Sequence, residues 1–215
     1  MAVGLFLGVL TVAPPAAGFA AGTAEVKQAG ELPEGLPAAL AAKLETPGAE
    51  VLLDGAPLAR FWFCKEWKAA ASPSTELGVN FGKIETGSLV GVVQFLQDWK
   101  DYKENAVPAG VYTLRYEVMP ADGNHMGVSP YRDYFLLVPA EKDTDLEKNY
   151  EFRELVELSL EATGVPHPGV MALYPIWDDV PEAPAMLKNE MDQWSLVIRR
   201  DDMTIGIVVE GHGEI

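Results

Sequence analysis

The segment 121–133 holds the densest mixture of chemically versatile side chains in this sequence of 215 residues. His125, Tyr131, Arg132 and Asp133 offer an imidazole, a phenol, a guanidinium and a carboxylate within one short stretch. The stretch is a long connection between two apolar segments, and long connections inside a compact domain are usually functional or disordered. We therefore expect these four residues to bind a ligand. The alternative is an ordered connection in which Arg132 and Asp133 pair with each other and His125 faces solvent.

A second candidate is His167, which stands between two prolines and directly before a predicted strand. Proline fixes the backbone φ angle, so this imidazole is held rigidly, as suits a metal ligand. The same position suits a histidine that caps a helix end or bonds a backbone carbonyl. If His125 and His167 meet at one end of the fold, with Met126, Cys64 or a carboxylate as third donor, the site would suit copper or zinc.

Several familiar catalytic patterns do not occur in the sequence. It contains no phosphate-binding loop, no dinucleotide-binding glycine motif, and no HExxH, GxSxG or CxxC motif. Whether the protein is an enzyme stays open on this basis, and a non-enzymatic binding or envelope-associated role is favoured. The main alternative is a periplasmic metal-binding protein or metalloenzyme that uses His125 and His167. Exposed aromatic side chains could also stack on sugars, so a carbohydrate-binding module is a third possibility.

Charge narrows the partners that the protein can have. Thirty-two acidic against 16 basic residues give a net charge of −16, and such a surface repels nucleic acid and anionic lipid. We expect an unknown protein or glycan as partner, and no nucleic acid. Residues 143–147 alternate acids as calcium loops do, but Lys148 stands where such a loop needs glycine, so solvated charge is the better interpretation.

The first 24 residues have the character of a signal peptide. Residues 1–24 carry no charged side chain, residues 3–13 form an apolar run, and small residues follow at positions suited to cleavage. Lysine or arginine before the apolar run is missing, and the alternative is a membrane anchor. We expect an exported protein, periplasmic or extracellular, with no stable membrane span after cleavage. Cys64 is the only cysteine, so no intramolecular disulfide can form, and its aromatic neighbours indicate a buried thiol.

The remaining chain predicts one domain. Residues 25–48 form a leader rich in alanine, proline and glycine, and residues 49–215 form the domain itself. Frequent glycine and proline between short apolar runs favour about eight or nine strands joined by turns. We expect an all-β, antiparallel β-sandwich. One inserted α-helix is predicted near 150–163, where apolar residues recur at helical spacing.

One strand has a clear period of two. In residues 111–118, Tyr112, Leu114, Tyr116 and Val118 share one face, and the polar residues between them share the other. We therefore expect the first set in the core and the polar set outside it.

Four short segments carry a family resemblance: 107–116, 122–127, 132–139 and the pair His167-Pro168. In these segments the chain resembles exported bacterial β-sandwich proteins of unassigned function. The proline-glycine turn before a tyrosine-bearing strand also looks like transthyretin-like and carboxypeptidase-regulatory-like modules. The resemblance implies an exported sandwich and brings no catalytic residues with it.

Overall fold

The computed structural model describes residues 22–101, 103–122, 131–177 and 181–211. Within these ranges the chain forms two helices, α1 (Ala38–Lys43) and α2 (Phe152–Thr163). The strands, in chain order, are β1 (Ala24–Gln28), β2 (Ala49–Leu53), β3 (Ala56–Phe63), β4 (Leu89–Phe95), β5 (Trp99–Lys100), β6 (Ala106–Val107), β7 (Gly110–Val118), β8 (Asp133–Pro139), β9 (Val170–Pro175), β10 (Ala185–Lys188), β11 (Trp194–Arg200) and β12 (Met203–Glu210).

Ten of these strands form one antiparallel sheet. Its order is β1-β2-β3-β4-β7-β8-β9-β12-β11-β10, and β5 pairs with β6 in a separate ribbon. The sheet curls until it is nearly closed, and the indole N–H of Trp194 on β11 donates to the Gly22 carbonyl beside β1 (3.1 Å). The predicted all-β, antiparallel architecture is confirmed. The two-sheet sandwich is not confirmed, because the ladder runs without a break from β1 to β10.

The inner face of the curled sheet encloses the main core. On β7, Tyr112, Leu114, Tyr116 and Val118 all pack into that core, as their spacing predicts. The opposite face of β7 is also buried, although polar residues occupy it. The sheet therefore has a covered outer surface as well as a filled interior.

Helix α2 provides much of that outer cover. Its Leu155 packs against Tyr134, Leu136 and Val138 on the outward face of β8. Gly164 ends the helix in the left-handed conformation (φ 66°), which glycine adopts without strain. The predicted helix and its end are confirmed. No helix in the described part of the chain has the length and apolar character needed to cross a membrane.

Helix α1 covers another part of the outer surface. Its Leu40 is fully buried against Trp62 and Val92 on β3 and β4. β1 pairs with β2 from Ala24↔Leu53 to Gln28↔Ala49. The segment predicted as a leader thus adds both a strand and a helix to the domain.

A buried ion pair holds the loop before α2 against the outer face of β7. Both side chains of the Arg115–Asp143 pair are completely inaccessible to solvent. Nε and Nη2 of Arg115 donate to the Asp143 carboxylate (2.8 and 2.6 Å). The remaining N–H groups donate to the carbonyls of Gly87, Lys148 and Asp145. All five N–H donors of the guanidinium therefore have an acceptor.

Asp143 corrects one expectation from the sequence. Its residue type and charged neighbours predict solvated charge, but it is 2% exposed and accepts a further hydrogen bond from the Thr113 hydroxyl (2.6 Å). The prediction of solvated charge over 143–147 is therefore wrong for Asp143. The physical reason is that Arg115, far from it in sequence, supplies the compensating charge.

Gly87 makes the close approach of this loop possible. Its φ is 72°, and a Cβ at this position would lie 2.1 Å from the carbonyl oxygen of Tyr150. Any other residue would push Tyr150 away from the ring-stacked guanidinium of Arg115, which lies 4.5 Å from the Tyr150 ring centroid.

We predict that Asp143→Asn lowers the free energy of unfolding by about 3 kcal/mol, because it leaves the buried Arg115 charge without its counter-ion. Chemical denaturation measures this change. The same carboxylate-to-amide replacement at the half-exposed Glu161 should shift the free energy by less than about 0.5 kcal/mol. Equal effects of the two substitutions would show that the buried pair does not stabilise the fold.

Candidate functional site

A cavity of about 300 Å³ lies between α2, the outer face of β8 and β9, and the connection that precedes β8. Phe152 and Val156, one helical turn apart, line it from α2. Val170 and Ala172, two residues apart on one face of β9, and Tyr134 on β8 complete its apolar wall. The helix and strand periodicities thus build a pocket whose wall is mostly apolar.

The polar part of the lining contains residues that the sequence analysis singled out. Tyr131, Asp133 and His167 all border this cavity, although they come from two separate segments. The ring of Tyr131 stacks on Tyr174, with centroids 6.4 Å apart. Lys103 adds a positive charge to the same lining. The structure therefore brings together three of the predicted site residues at one pocket.

Arg132 points elsewhere. Its Nε donates to the Met119 carbonyl (2.7 Å), and its Nη1 donates to the Glu76 carboxylate (2.7 Å). Its backbone N–H donates to the Gly78 carbonyl (2.9 Å). Arg132 is not part of the cavity lining and ties the 76–78 loop to the start of β8.

Asp133 borders the cavity, but its carboxylate already has four donors. It accepts hydrogen bonds from the Tyr116 hydroxyl (2.6 Å), from the backbone N–H groups of Asn80 and Phe81 (2.8 and 3.1 Å), and from the Asn80 side-chain amide (3.2 Å). Burial and the neighbouring carboxylate hold the pKa of Tyr116 well above its usual range, so the phenol remains the donor. The alternative in which Arg132 and Asp133 pair with each other is not what the structure shows.

His167 lies at the end of α2, where it is about one-third exposed. Its Nδ1 is 2.8 Å from the Pro168 carbonyl oxygen, and its own carbonyl accepts a hydrogen bond from the Thr163 hydroxyl (2.6 Å). Because a carbonyl only accepts, Nδ1 is the donor in the contact with Pro168. One expected alternative, a histidine that bonds a backbone carbonyl beside a helix end, matches this geometry.

The two-histidine metal site stays a prediction. His125 lies outside the described residues. Within the ranges that the structure describes, no group of three or more histidine, cysteine or acidic side chains is arranged for a metal ion. Cys64 is 3% exposed, and burial raises the pKa of its thiol to about 11, so it is protonated at neutral pH.

Glu117 is a buried carboxyl that sequence reasoning missed. It lies on the outer face of β7, opposite Tyr134 of the cavity wall, and is only 5% exposed. Burial raises its pKa to about 7, so its protonation changes near neutral pH. The alternation of β7 places Glu117 on the outward face, and the amphipathic helix 150–163 is the signal that something covers that face.

Comparison of the chain with protein-family models, with curated proteins and with solved structures gives no match. The resemblance to exported sandwich proteins therefore stays a prediction from the sequence.

We predict that Glu117 makes the stability of the protein depend on pH. Its pKa is higher in the folded chain (about 7) than its ordinary value of 4.5, so the fold favours the neutral carboxyl. This stabilisation is complete below the ordinary value and is lost as the pH rises through 7. Between a pH below 4.5 and a pH above 7, Glu117→Gln should gain about 3 kcal/mol of unfolding free energy relative to the native chain.

Denaturant titrations across this pH range measure the difference. Glu157→Gln, on the exposed side of α2, is the matched control and should keep the pH profile of the native chain. An unchanged profile in Glu117→Gln would contradict the assignment of the titration to Glu117.

Proposed function

We propose that the protein is an exported, non-enzymatic binding module whose cavity beside α2 takes a small apolar or aromatic ligand. The observation that carries the proposal is the meeting of Tyr131 and His167, from two segments singled out by sequence, at one mostly apolar cavity. Its volume of about 300 Å³ is at the lower end of the range that small-molecule sites occupy. A compact ligand of one or two rings fits that size.

The walls and the rim would act on different parts of such a ligand. Phe152, Val156 and Val170 remove the apolar part from water, which supplies the driving force. Lys103 and the imidazole of His167 provide polar contacts at the rim, so a ligand with one anionic or hydrogen-bonding substituent would be oriented by them. The aromatic ring of Tyr131 adds a stacking surface.

Export rests on the sequence of residues 1–24, which has the apolar run and the small residues of a signal peptide. A periplasmic or extracellular binding protein also agrees with the strongly acidic composition, which favours solubility. The two halves of the proposal are independent and need separate tests.

For the cavity, we predict that Val156→Phe weakens binding of the two-ring fluorescent anion 2-naphthalenesulfonate by at least about tenfold, because the larger side chain fills the pocket. Fluorescence titration measures the affinity, and thermal melting confirms that the variant folds. Val165→Phe is the matched control, since Val165 is exposed after the end of α2. This control variant should bind the probe as the native chain does. The same affinity in both variants, or no binding to the native protein, would refute the cavity as the binding site.

For export, we predict that the full-length chain expressed in a bacterium with two membranes is recovered from the periplasm in shortened form. Its intact mass should correspond to cleavage after Ala20, Gly22 or Ala24. Mass spectrometry of the periplasmic and cytosolic fractions makes the measurement. Recovery of only the uncleaved chain from the cytosol would contradict the proposal.

A further inference from the structure

A second and larger cavity lies on another part of the surface, away from the lining of the first. It has a volume of about 500 Å³ and lies between the end of α1, the segment after β3 and the loop that Arg115 anchors. Lys43, Lys65 and Lys68 line it together. A chain with 16 basic and 32 acidic residues thus places three lysines around one cavity.

Each lysine is held in place by a contact at its ammonium group. Lys65 Nζ donates to the Ala42 carbonyl (2.8 Å), and Lys68 Nζ donates to the Asn149 side-chain oxygen (3.0 Å). Lys43 Nζ lies 2.5 Å from a Glu147 carboxylate oxygen, and the Glu147 side chain is 81% exposed. Since an ammonium group has three N–H donors, each lysine keeps donors for a further acceptor.

One buried N–H group of the cavity lining also has no acceptor in the described part of the chain. It is the indole N–H of Trp67. Arg200, whose guanidinium lies 5.1 Å from the Trp67 ring centroid, is not in this lining and pairs with the Glu45 carboxylate (3.1 Å). A buried donor without an acceptor is unfavourable, so an acceptor atom placed at the Trp67 indole would be favourable.

Apolar and acidic side chains also line the cavity. Leu89, Leu146 and Trp67 are its large apolar residues, and Glu66 and Glu147 set two carboxylates against the three ammonium groups. A ligand that matches both features has several acceptor oxygens with negative charge on a compact carbon frame.

We propose that this cavity binds a small organic anion that carries carboxylate or phosphate groups, with Lys43, Lys65 and Lys68 as its charge-assisted donors. This site is distinct from the cavity beside α2 and does not rest on the function proposed for that cavity. The shared chemistry of carboxylate and phosphate oxygens accounts for both ligand classes, and the choice of probe separates them.

The test is isothermal titration calorimetry at low ionic strength, with citrate and pyrophosphate as the probes in separate titrations. The variant Lys43→Gln/Lys65→Gln/Lys68→Gln should bind at least about tenfold more weakly than the native chain. The matched control, Lys27→Gln/Lys100→Gln/Lys142→Gln, removes the same total charge at lysines that do not line the cavity and should bind as the native chain does. A response to citrate alone identifies carboxylates as the preferred class, and a response to pyrophosphate alone identifies phosphates.

A second variant gives a result that misfolding cannot imitate. Glu147→Gln removes the carboxylate that competes for Lys43, so it should tighten binding by about threefold. The proposal is overturned if neither probe binds the native chain. It is overturned as well if the two triple variants lose the same affinity, or if Glu147→Gln leaves the affinity unchanged.

Discussion

The guanidinium of Arg115 holds the outer layer of this protein to its sheet. It projects from the outward face of β7, where it is fully buried, and it fixes residues 143–148 through one carboxylate and two backbone carbonyls. An arginine in this setting is stable only because every N–H has an acceptor, since a buried charge with unsatisfied donors would disfavour folding. The loop that it holds leads directly into α2, so the position of the helix on β8 depends on the same contact.

Both cavities are lined in part by the loop that Arg115 holds or by the helix that follows it. Leu146, Glu147 and Asn149 from the anchored loop line the lysine cavity, and Phe152 and Val156 from the following helix line the apolar one. A shift of the loop would therefore change the shape of both cavities. A rigid anchor beneath two cavities that we propose as binding sites agrees with the general need to hold site residues by packing and by hydrogen bonds behind them.

The sequence predicts which residues share a face more readily than it predicts what covers that face. The alternation over β7 correctly places Tyr112 and Leu114 inside, because period two depends only on local backbone geometry. It cannot place Arg115 and Glu117 in buried surroundings, because their cover comes from segments more than twenty-five residues away in the chain. For the same reason Asp143 reads as solvated charge when its arginine partner is not considered.

The architecture shows the same division between local and non-local information. The alternation within the long strands and the helix near 150–163 follow from local patterns, whereas the expected eight or nine strands fall short of the twelve in the described part of the chain. The same local patterns are also compatible with either one nearly closed sheet or two stacked sheets. The difference lies in the pairing of β9 with both β8 and β12, which joins strands separated by α2 and by two further strands. At the candidate site, the long connection and the proline-flanked histidine were detectable. The cavity that Tyr131 and His167 share was not detectable from the sequence, because part of its wall comes from α2, whose packing on the sheet is a non-local contact.

The charge of the whole molecule limits how an anion could bind at the lysine cavity. A net charge of −16 repels anions at long range, so attraction from a distance does not favour their approach. At about 0.1 M salt this repulsion is screened beyond about 10 Å, whereas contacts at hydrogen-bonding distance are screened much less. Recognition there would depend on the geometry of Lys43, Lys65 and Lys68 rather than on the average surface potential. Such a site would select anions whose oxygens match the three ammonium positions and would reject larger polyanions, including nucleic acid, that must also contact the surrounding acidic surface.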